Sequence, residues 1–557
     1  MPRILVSDPL SAVGLDVLGR ETDLEVVIQT GLEADALRTA LESVDGVIIR
    51  SGTQLTAEVL DGQPRLKGIV RAGVGIDNID LAAATRCGIV VMNTPAGNTT
   101  STAEHSIAML MALSRNISPA AASLKSGAWE RKKFVGTQLA GKTLAILGLG
   151  RVGLAVCERA KGLQMRVIGF DPFLSAERAV EHGIDLFDDL DRLLAEADFL
   201  TVHTPLTDQT RNLINAERIG KMKPGVRIVN CARGGIVDEE ALAAALEADH
   251  VGGAAIDVFD TEPPGDHPLL ADPRVLATPH LGASTEEAQE SVAHEAAEIL
   301  SRFLLRGEVR HAVNMVPISA TELDAARLYL DLGFRLGVLL AQQNQAQRLE
   351  GIRVDYRGEV VTRSTRLVTA SLTSGLLGCA FDADVNLVNA ELVARERGIE
   401  ITESSSPESG DFSTLVRATL ITDTNDVTAS ATIFGNQFLR LVRLGPYQLD
   451  AYLDGALLIC RHLDVPGLIG FIGTILGRHR VNIAHMSLGR QQDKPGGEAV
   501  AVLNLDNLPS YEAIEEIVEH PEVVGVDIVL LPLAQSPLPW LGMLIKDGRL
   551  QGTSGDS

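Results

Sequence analysis

Ala145-Ile146-Leu147-Gly148-Leu149-Gly150-Arg151-Val152-Gly153 decides the fold, because of what stands on either side of it. Upstream, 143–147 is a near-continuous apolar run and reads as a short buried strand. Downstream, 154–163 reads as a helix, and a second strand over 165–170 ends at Asp171. The unit is a complete βαβ with G-x-G-x-x-G in its first turn. Asp171 stands 21 residues past Gly150, close to the spacing of ~20 that places an acidic residue at the second strand end. The glycines let the backbone turn tightly and approach a pyrophosphate, and the helix N-terminus supplies amide donors and a favourable dipole. An acid in that place binds a ribose 2′-hydroxyl and repels a 2′-phosphate, which favours NAD over NADP. Glycines alone mark ordinary turns. With strand, helix, second strand and acid in register, they mark a dinucleotide site.

Working outward, the chain of 557 residues suggests three or four domains at ~150 residues each. Apolar residues make up 45% and charged residues 22%, an ordinary globular balance with ample core material. The net charge of −24 argues against nucleic acid or an anionic membrane surface as the main partner. An anionic substrate therefore needs a local cationic pocket. Cys87, Cys157, Cys231, Cys379 and Cys460 are odd in number, scattered and without C-x-x-C, which fits neither a disulfide framework nor a zinc site. No metal is expected, most of these cysteines read as small buried hydrophobes, and a reducing cytoplasm is the expected compartment. The first residues enter a strand at once, leaving no room for a signal peptide. The apolar stretch 529–545 is broken by Pro532, Pro537 and Pro539 and is not expected to span a membrane.

Before the glycine turn, 1–98 alternates short β-rich runs (4–7, 47–50, 68–71, 89–92) with helical stretches, the pattern of a small α/β domain. A helix over 99–114 leads into the nucleotide domain, 99–283, whose βα repeats continue through 199–203, 226–230, 253–257 and 275–278. A long helix from 284 returns the chain to the first domain, with linker to 317, so the first domain is discontinuous and the active site is expected between the lobes. Residues 318–452 open with a helix and then alternate like strands (415–422, 427–434), and the Ser-rich 404–411 reads as an exposed loop. Residues 453–532 read strand, helix, strand, strand, helix, strand, the ferredoxin-like pattern, and 533–557 reads as a tail. The fold class is α/β: a Rossmann-like NAD domain inserted in a flavodoxin-like domain, then an α+β domain and a ferredoxin-like domain.

Three further segments carry chemistry. In 223–238, a strand delivers Arg233 into the turn Gly234-Gly235, at the carboxyl end of a sheet where ligands bind. Its planar guanidinium suits a carboxylate, although an arginine beside a turn is often only a surface group. Glu262, in Thr261-Glu262-Pro263-Pro264, and His280, in Thr278-Pro279-His280, stand 18 residues apart, each just past a strand end. A carboxylate beside an imidazole favours its protonated form and fixes its tautomer, equipping it for acid–base work. Either residue alone would read as an ordinary surface group. All three together do not.

These segments resemble the D-isomer-specific 2-hydroxyacid dehydrogenases. The likeness rests on the glycine turn, on Val202-His203-Thr204-Pro205-Leu206-Thr207, on 223–238 and on Thr278-Pro279-His280-Leu281-Gly282-Ala283, and it covers 1 to about 310. It implies that Arg233 binds the substrate carboxylate and that Glu262 and His280 move the hydroxyl proton. It also implies NAD contacts from Val74, Gly148, Gly150, Arg151, Val152, Gly153, Asp171, His203, Thr204, Pro205, Cys231, Ala232 and Gly282, with Asp257 at the nicotinamide end. The formate dehydrogenase branch carries Gln at the position of Glu262 and is set aside.

Ile49-Arg50-Ser51-Gly52-Thr53 and Val70-Arg71-Ala72-Gly73-Val74-Gly75 resemble the corresponding loops of the phosphoglycerate dehydrogenase branch. That resemblance implies D-3-phosphoglycerate as substrate, with Arg50, Ser51 and Arg71 meeting its phosphate. Trp129-Glu130-Arg131-Lys132-Lys133-Phe134 also resembles this branch, in which the loop can approach a partner subunit's site; a solvated basic run is the plain alternative. Beyond 318, Val385-Asn386-Leu387-Val388-Asn389-Ala390 and Glu396-Arg397-Gly398-Ile399 resemble its intervening domain. Asp464-Val465-Pro466-Gly467 and Val481-Asn482-Ile483 resemble the ligand loop of an ACT domain. The resemblance implies serine as effector, at Asp464 and Asn482, and a homodimer or homotetramer. His462 departs from serine-sensing relatives, and Asp464 could be a helix cap. A glyoxylate or hydroxypyruvate reductase would end near 310–330, and an NAD-sensing corepressor would keep the site without turnover. The long tail disfavours both.

Overall fold

The computed structural model describes residues 1–344, 348–381, 385–435, 437–491 and 496–533, so the expected tail lies beyond Leu533 outside the described residues. The chain divides into two compact units. One holds 10–15 and 94–295, and the other holds 1–9, 16–93 and the chain from 296 on.

The first of these is built on the glycine turn. Its sheet contains Thr143–Leu147, Arg166–Phe170, Asp185–Leu186, Phe199–Val202, Val226–Asn230, Val251–Ile256 and Val275–Ala277, all parallel. Counted along the chain, their spatial order is third, second, first, fourth, fifth, sixth, seventh. This is the doubly wound dinucleotide order, with its reversal beside the first strand. Thr143–Leu147 is buried along its whole length because both faces are covered. Leu144 and Ile146 enter one core layer with Ala103, Ile107 and Leu110 of the helix Thr99–Ser114, and Ala145 and Leu147 enter the other. The helix after the turn starts at Arg151 rather than at 154, so the last glycine lies inside it.

The other unit holds three sheets. Arg3–Val6, Glu25–Ile28, Gly46–Ile49, Gly68–Arg71 and Val90–Asn93 form a parallel sheet in the order second, first, third, fourth, fifth, the flavodoxin-like arrangement. Glu25–Ile28 was not foreseen. It is a half-exposed edge strand, although Val26-Val27-Ile28 is as apolar and β-branched as the strands beside it. The helix Glu286–Arg306 ends in this unit, with Leu300 and Phe303 buried.

Next, the helix Ala320–Gln343, opened by a Ser319/Glu322 capping box, and the helix Thr365–Phe381 accompany a six-stranded sheet. Its order is Glu400–Ser406, Leu349–Gly358, Thr414–Thr422, Val427–Phe434, Phe438–Leu444, Tyr447–Tyr452. The expected loop over 404–411 is corrected in its first three residues, while 407–411 is exposed and without regular structure. Ser404, Ser405 and Ser406 complete an edge strand paired with Asp355, Tyr356 and Arg357. An edge strand tolerates serines because only one side of its backbone needs a partner.

The motif 385–390 closes on itself and grips the flavodoxin-like sheet. The Asn386 amide hydrogen bonds to Asn389 Oδ1 (2.7 Å), while the two side chains donate to the carbonyls of Gly88 (3.3 Å) and Arg86 (3.1 Å) at the end of the helix Leu81–Arg86.

The last sheet has the order Ile483–Arg490, Glu498–Leu505, Ala456–Leu463, Val523–Leu530, with helices Leu468–Arg478 and Tyr511–Val518. This is the ferredoxin-like fold. Arg335 ties it to the layer before it. Its guanidinium, 1% exposed, pairs with Asp331 and donates to the carbonyls of Leu453, Pro532 and Leu533. No helix among the described residues is long and apolar enough to cross a membrane. All five cysteines are free; Cys157, Cys231 and Cys460 are buried, whereas Cys87 and Cys379 are exposed.

Candidate active site

The glycine turn is shaped for a close ligand. Gly148 has φ +85, and a Cβ there would lie 2.7 Å from the His203 carbonyl oxygen; one on Gly153 would lie 2.0 Å from the Gly148 oxygen. Gly150 caps the helix Arg151–Gly162 and faces open space, with nothing within 4 Å of where its Cβ would be. The Asp171 carboxylate accepts from the Leu149 amide (2.7 Å) and the Phe173 amide (2.8 Å), tying the turn to the second strand. A carboxylate has about four acceptor positions, so Asp171 keeps capacity for a diol. Open space at Gly150, unpaired amides at the first helical turn and an acid at the strand end together fit a dinucleotide. His203 pairs with the Thr201 hydroxyl at 2.9 Å, and burial pushes it down to about 4, so it is neutral at pH 7. Thr204 and Pro205 follow it at the strand end.

Two strand ends deliver the acid–base pair. His280 Nδ1 lies 2.8 Å from Glu262 Oε2, and the other Glu262 oxygen accepts from the Phe259 amide at 3.1 Å. A carboxylate only accepts, so Nδ1 carries the hydrogen and Nε2 is left as an acceptor. The imidazole is held in a left-handed turn, φ +54, by its amide bond to the Asp257 carbonyl at 2.8 Å. Its side chain is 48% exposed, beside a cavity of about 480 Å³ walled by Phe259, Pro263, Pro264, Leu270 and Pro279.

Asp257 underlies this arrangement. It is fully buried, and its carboxylate accepts from the Thr278 hydroxyl (2.6 Å) and the amides of Leu281 (2.8 Å) and Gly282 (2.9 Å). His105 Nε2 lies 3.2 Å away. Burial pushes the carboxyl up, but the bonds from His105, Thr278 and Leu281 outweigh it and hold the group below the usual range. His105 was missed by the sequence reading, since one histidine in an apolar helix carries no local sign of its partner. His105, Cys231 and Asp257 bring ligand atoms within 4.8 Å of one another. Burial pushes the Cys231 thiol up to about 12, and the Asp257 oxygens already accept from Thr278, Leu281 and Gly282.

Arg233 is set by its neighbours. The Asn230 side chain accepts from the Ala232 amide (3.1 Å) and donates to the Arg233 carbonyl (2.9 Å), folding the chain past Cys231 and Ala232 into the turn. A Cβ on Gly234 would lie 1.9 Å from the Phe259 oxygen, so the turn packs directly on the segment leading to Glu262. Arg233, Glu262 and His280 thus lie in one unit, with the Gly234 turn packed on the segment that leads to Glu262.

Arg50, Ser51, Arg71 and Val74 belong to the other unit, at the carboxyl ends of its parallel strands. Their loops are stitched by residues the sequence reading did not assign. The buried Asp8 carboxylate accepts from the amides of Arg50 (2.5 Å) and Thr53 (3.1 Å). Asn78 donates to the carbonyls of Arg50 (2.7 Å) and Thr53 (2.6 Å), and Asn93 to that of Val74 (2.6 Å).

In the terminal sheet, Asp464 pairs with Arg490 at 2.7 Å and Asn482 donates to Asp506 at 2.6 Å. The two expected effector residues therefore already have partners inside the domain. Trp129 is 77% exposed, and Arg131–Phe134 is an exposed 3-10 turn.

Comparison with known proteins agrees with this geometry. Residues 107–282 match the NAD binding domain of the D-isomer specific 2-hydroxyacid dehydrogenases, which makes this unit an NAD-dependent dehydrogenase lobe. Residues 325–445 match the D-3-phosphoglycerate dehydrogenase intervening domain, and 456–522 match the ACT domain. The chain is 41% identical to D-3-phosphoglycerate dehydrogenase of Archaeoglobus fulgidus, over 95% of this chain and 100% of that one. It is 40% identical to that of Bacillus subtilis, over 96% and 100%. Among solved structures, a glyoxylate reductase from Paecilomyes thermophila superposes with TM-score 0.52 at 28% identity, over 56% of this chain and 98% of that one. The chain belongs to the D-3-phosphoglycerate dehydrogenase family.

Proposed function

We propose that the chain oxidises D-3-phosphoglycerate to 3-phosphohydroxypyruvate with NAD, the entry step of L-serine biosynthesis, in the cytoplasm. The observation that carries this reading is the bonded His280–Glu262 pair at the strand ends of an NAD-binding sheet, in a chain whose full-length relatives bear that activity's name. Arg233 clamps the substrate carboxylate with its planar fork. Arg50, Ser51 and Arg71 meet the phosphate. His280 Nε2 takes the proton of the C2 hydroxyl, and Glu262 stabilises the imidazolium that forms. Gly148, Gly150, Arg151, Val152, Gly153 and Asp171 hold NAD, whose nicotinamide accepts the hydride from C2. His203, Thr204, Pro205, Cys231, Ala232, Asp257, Gly282 and Val74 complete its surroundings. The neutral state of His203 suits a wall that must not compete with the cofactor's charge.

The partition into a substrate domain (1–98 with 284–317), NAD domain, intervening domain and ACT domain belongs to the same proposal. So do serine binding around Asp464 and Asn482 and assembly as a homodimer or homotetramer.

The test is NADH formation by the full chain on D-3-phosphoglycerate and, in parallel, on D-glycerate, with a trap for the ketone product. Clear preference for the phosphorylated acid supports both the reaction and the Arg50/Arg71 reading. Equal rates on the two acids would sink the phosphate reading, and silence on both would sink the activity.

A further inference from the structure

The segment that carries Glu262 is held at both ends by one carboxylate that the sequence reading did not assign. Residues 260–267 run outside regular structure until the helix Pro268–Ala271 begins. Thr261, Glu262, Pro263, Gly265 and Asp266 are exposed, so core packing does little to fix the segment. Glu239 opens the helix Glu239–Glu247 in the same unit. Its Oε1 accepts from the Asp260 amide at 2.8 Å, and its Oε2 lies 3.0 Å from His267 Nε2. One carboxylate therefore ties two points seven residues apart, with Glu262 between them.

The His267 ring is fixed by its neighbours. Its Nδ1 accepts from the Leu269 amide at 3.3 Å, so the ring hydrogen sits on Nε2 and is donated to Glu239. Edge-to-face packing on Phe259, with centroids 5.8 Å apart, sets the plane of the ring. The Phe259 amide in turn donates to Glu262 Oε1 at 3.1 Å, so one aromatic residue joins the clamp to the reacting carboxylate. An acid in the first turn of a helix and a cap on a short helix are ordinary features. Neither explains why both Glu239 oxygens are spent on the segment that carries Glu262. The Glu239 and His267 side chains are 15% and 22% exposed, which shields their bond from competing water. A further ion pair on the segment, Arg211 with Asp260 at 3.2 Å, is more than half exposed on both sides and contributes little.

We propose that Glu239 and His267 are positioning residues for the acid–base pair: they close 260–267 into a loop of fixed shape and so hold Glu262 against His280. The proposal rests on the reading of Glu262 and His280 as that pair. Neither Glu239 nor His267 touches the reacting atoms. The Glu262 and His280 side chains are themselves 39% and 48% exposed, so their 2.8 Å contact is set through the backbone that carries them rather than by packing. A displacement of about 1 Å at such a contact can cost up to about 10² in rate. His267→Asn isolates the effect, because asparagine also caps a helix but its side chain is too short to reach Glu239. Glu239→Gln keeps an acceptor for the Asp260 amide, while its NH₂ meets the Nε2 hydrogen of His267, so one tie of the two is lost.

The experiment is a double-mutant cycle in the full chain, His267→Asn with Glu262→Gln, read as kcat for NADH formation on D-3-phosphoglycerate. Hydrogen–deuterium exchange over 258–270 is measured on the same proteins. His267→Asn alone should lower kcat by about tenfold, with KM for NAD unchanged. In the Glu262→Gln background the same change should cost no more than about twofold, because the clamp acts through that carboxylate. Glu239→Gln should follow the same pattern. Equal losses in both backgrounds, or no loss in either, overturn the positioning role. Exchange within 259–267 should rise several-fold in His267→Asn and Glu239→Gln, and unchanged exchange overturns the clamp. Silence of the wild type on this acid would sink the activity alone, leaving exchange to decide whether the clamp exists. Should one variant fail to fold by circular dichroism, the other decides on the same two readouts.

Discussion

His280 hangs from Asp257. The His280 amide donates to the Asp257 carbonyl at 2.8 Å, while the Asp257 carboxylate takes the amides of the next two residues, Leu281 and Gly282. One buried acid thereby fixes the left-handed turn that aims the imidazole. In Asp257→Asn, an amide NH₂ replaces one of these acceptors and a buried donor loses its partner, at a cost of about 1–3 kcal/mol. Thermal unfolding should shift down accordingly, and kcat should fall about tenfold or more through misplacement of His280. Wild-type melting and turnover together would remove Asp257 as the organiser.

His280→Ala should cut turnover by about 10² or more while NADH still binds, read by the fluorescence of the bound cofactor. Glu262→Gln keeps the size of the side chain but loses the charge that stabilises an imidazolium, so kcat should drop less, by about tenfold, with KM little changed. Near-normal turnover in the histidine variant would falsify the acid–base assignment.

The Gly234 turn has no room for a methyl group, because its Cβ would lie 1.9 Å from a backbone oxygen. Gly234→Ala must push the turn away from Phe259, which destabilises by about 1–3 kcal/mol and displaces Arg233. The clearest readout is a rise in KM for the hydroxyacid larger than any change in NAD affinity. An unchanged KM would show that the turn does not position the guanidinium.

His203 gives a pH signature in stability. Burial lowers it from 6.5 to about 4 in the folded chain. Between those values the unfolded chain binds the extra proton, so stability is full above about pH 6.5 and is lost as pH falls toward 4. The loss attributable to this residue is on the order of 3 kcal/mol. Urea unfolding at pH 7.5 and pH 5 should show a smaller difference in His203→Gln than in wild type. Parallel slopes in the two proteins would contradict the burial argument.

Asn386 and Asn389 join the intervening layer to the flavodoxin-like sheet through the carbonyls of Gly88 and Arg86. In Asn386→Ala/Asn389→Ala that joint should open, so that limited proteolysis cuts near 385–390 several-fold faster than in wild type. Equal cleavage rates would mean that other contacts hold the layers together.

What the sequence disclosed follows from where each element lies. Thr143–Leu147 and Val226–Asn230 are covered on both faces, and their apolar runs are legible at once. Glu400–Ser406 is an edge with much of its surface in water, and its serines hide it, whereas Glu25–Ile28, also an edge, carries a legible β-branched run that the sequence reading missed. The site divides in the same way. Arg233, Glu262 and His280 each stand in a local motif at a strand end and could be found one segment at a time. Asp8 acts on Arg50 from 42 residues away, and His105 meets Asp257 across the interior of its unit. Such partnerships exist only once the chain is folded, and no spacing rule encodes them.

The buried Arg335 sets how this architecture can change over evolutionary time. Its guanidinium is satisfied by Asp331 on its own helix and by carbonyls at both ends of the terminal domain, Leu453 before it and Pro532 and Leu533 after it. A lineage that shortened the chain stepwise from its far end would lose two of these acceptors first, leaving a buried guanidinium only partly satisfied by Asp331 and Leu453 while every strand of the domain remained. Gradual erosion therefore passes through a penalised intermediate, whereas deletion of the helix and the domain in one event does not. The terminal domain should be kept whole or dropped whole.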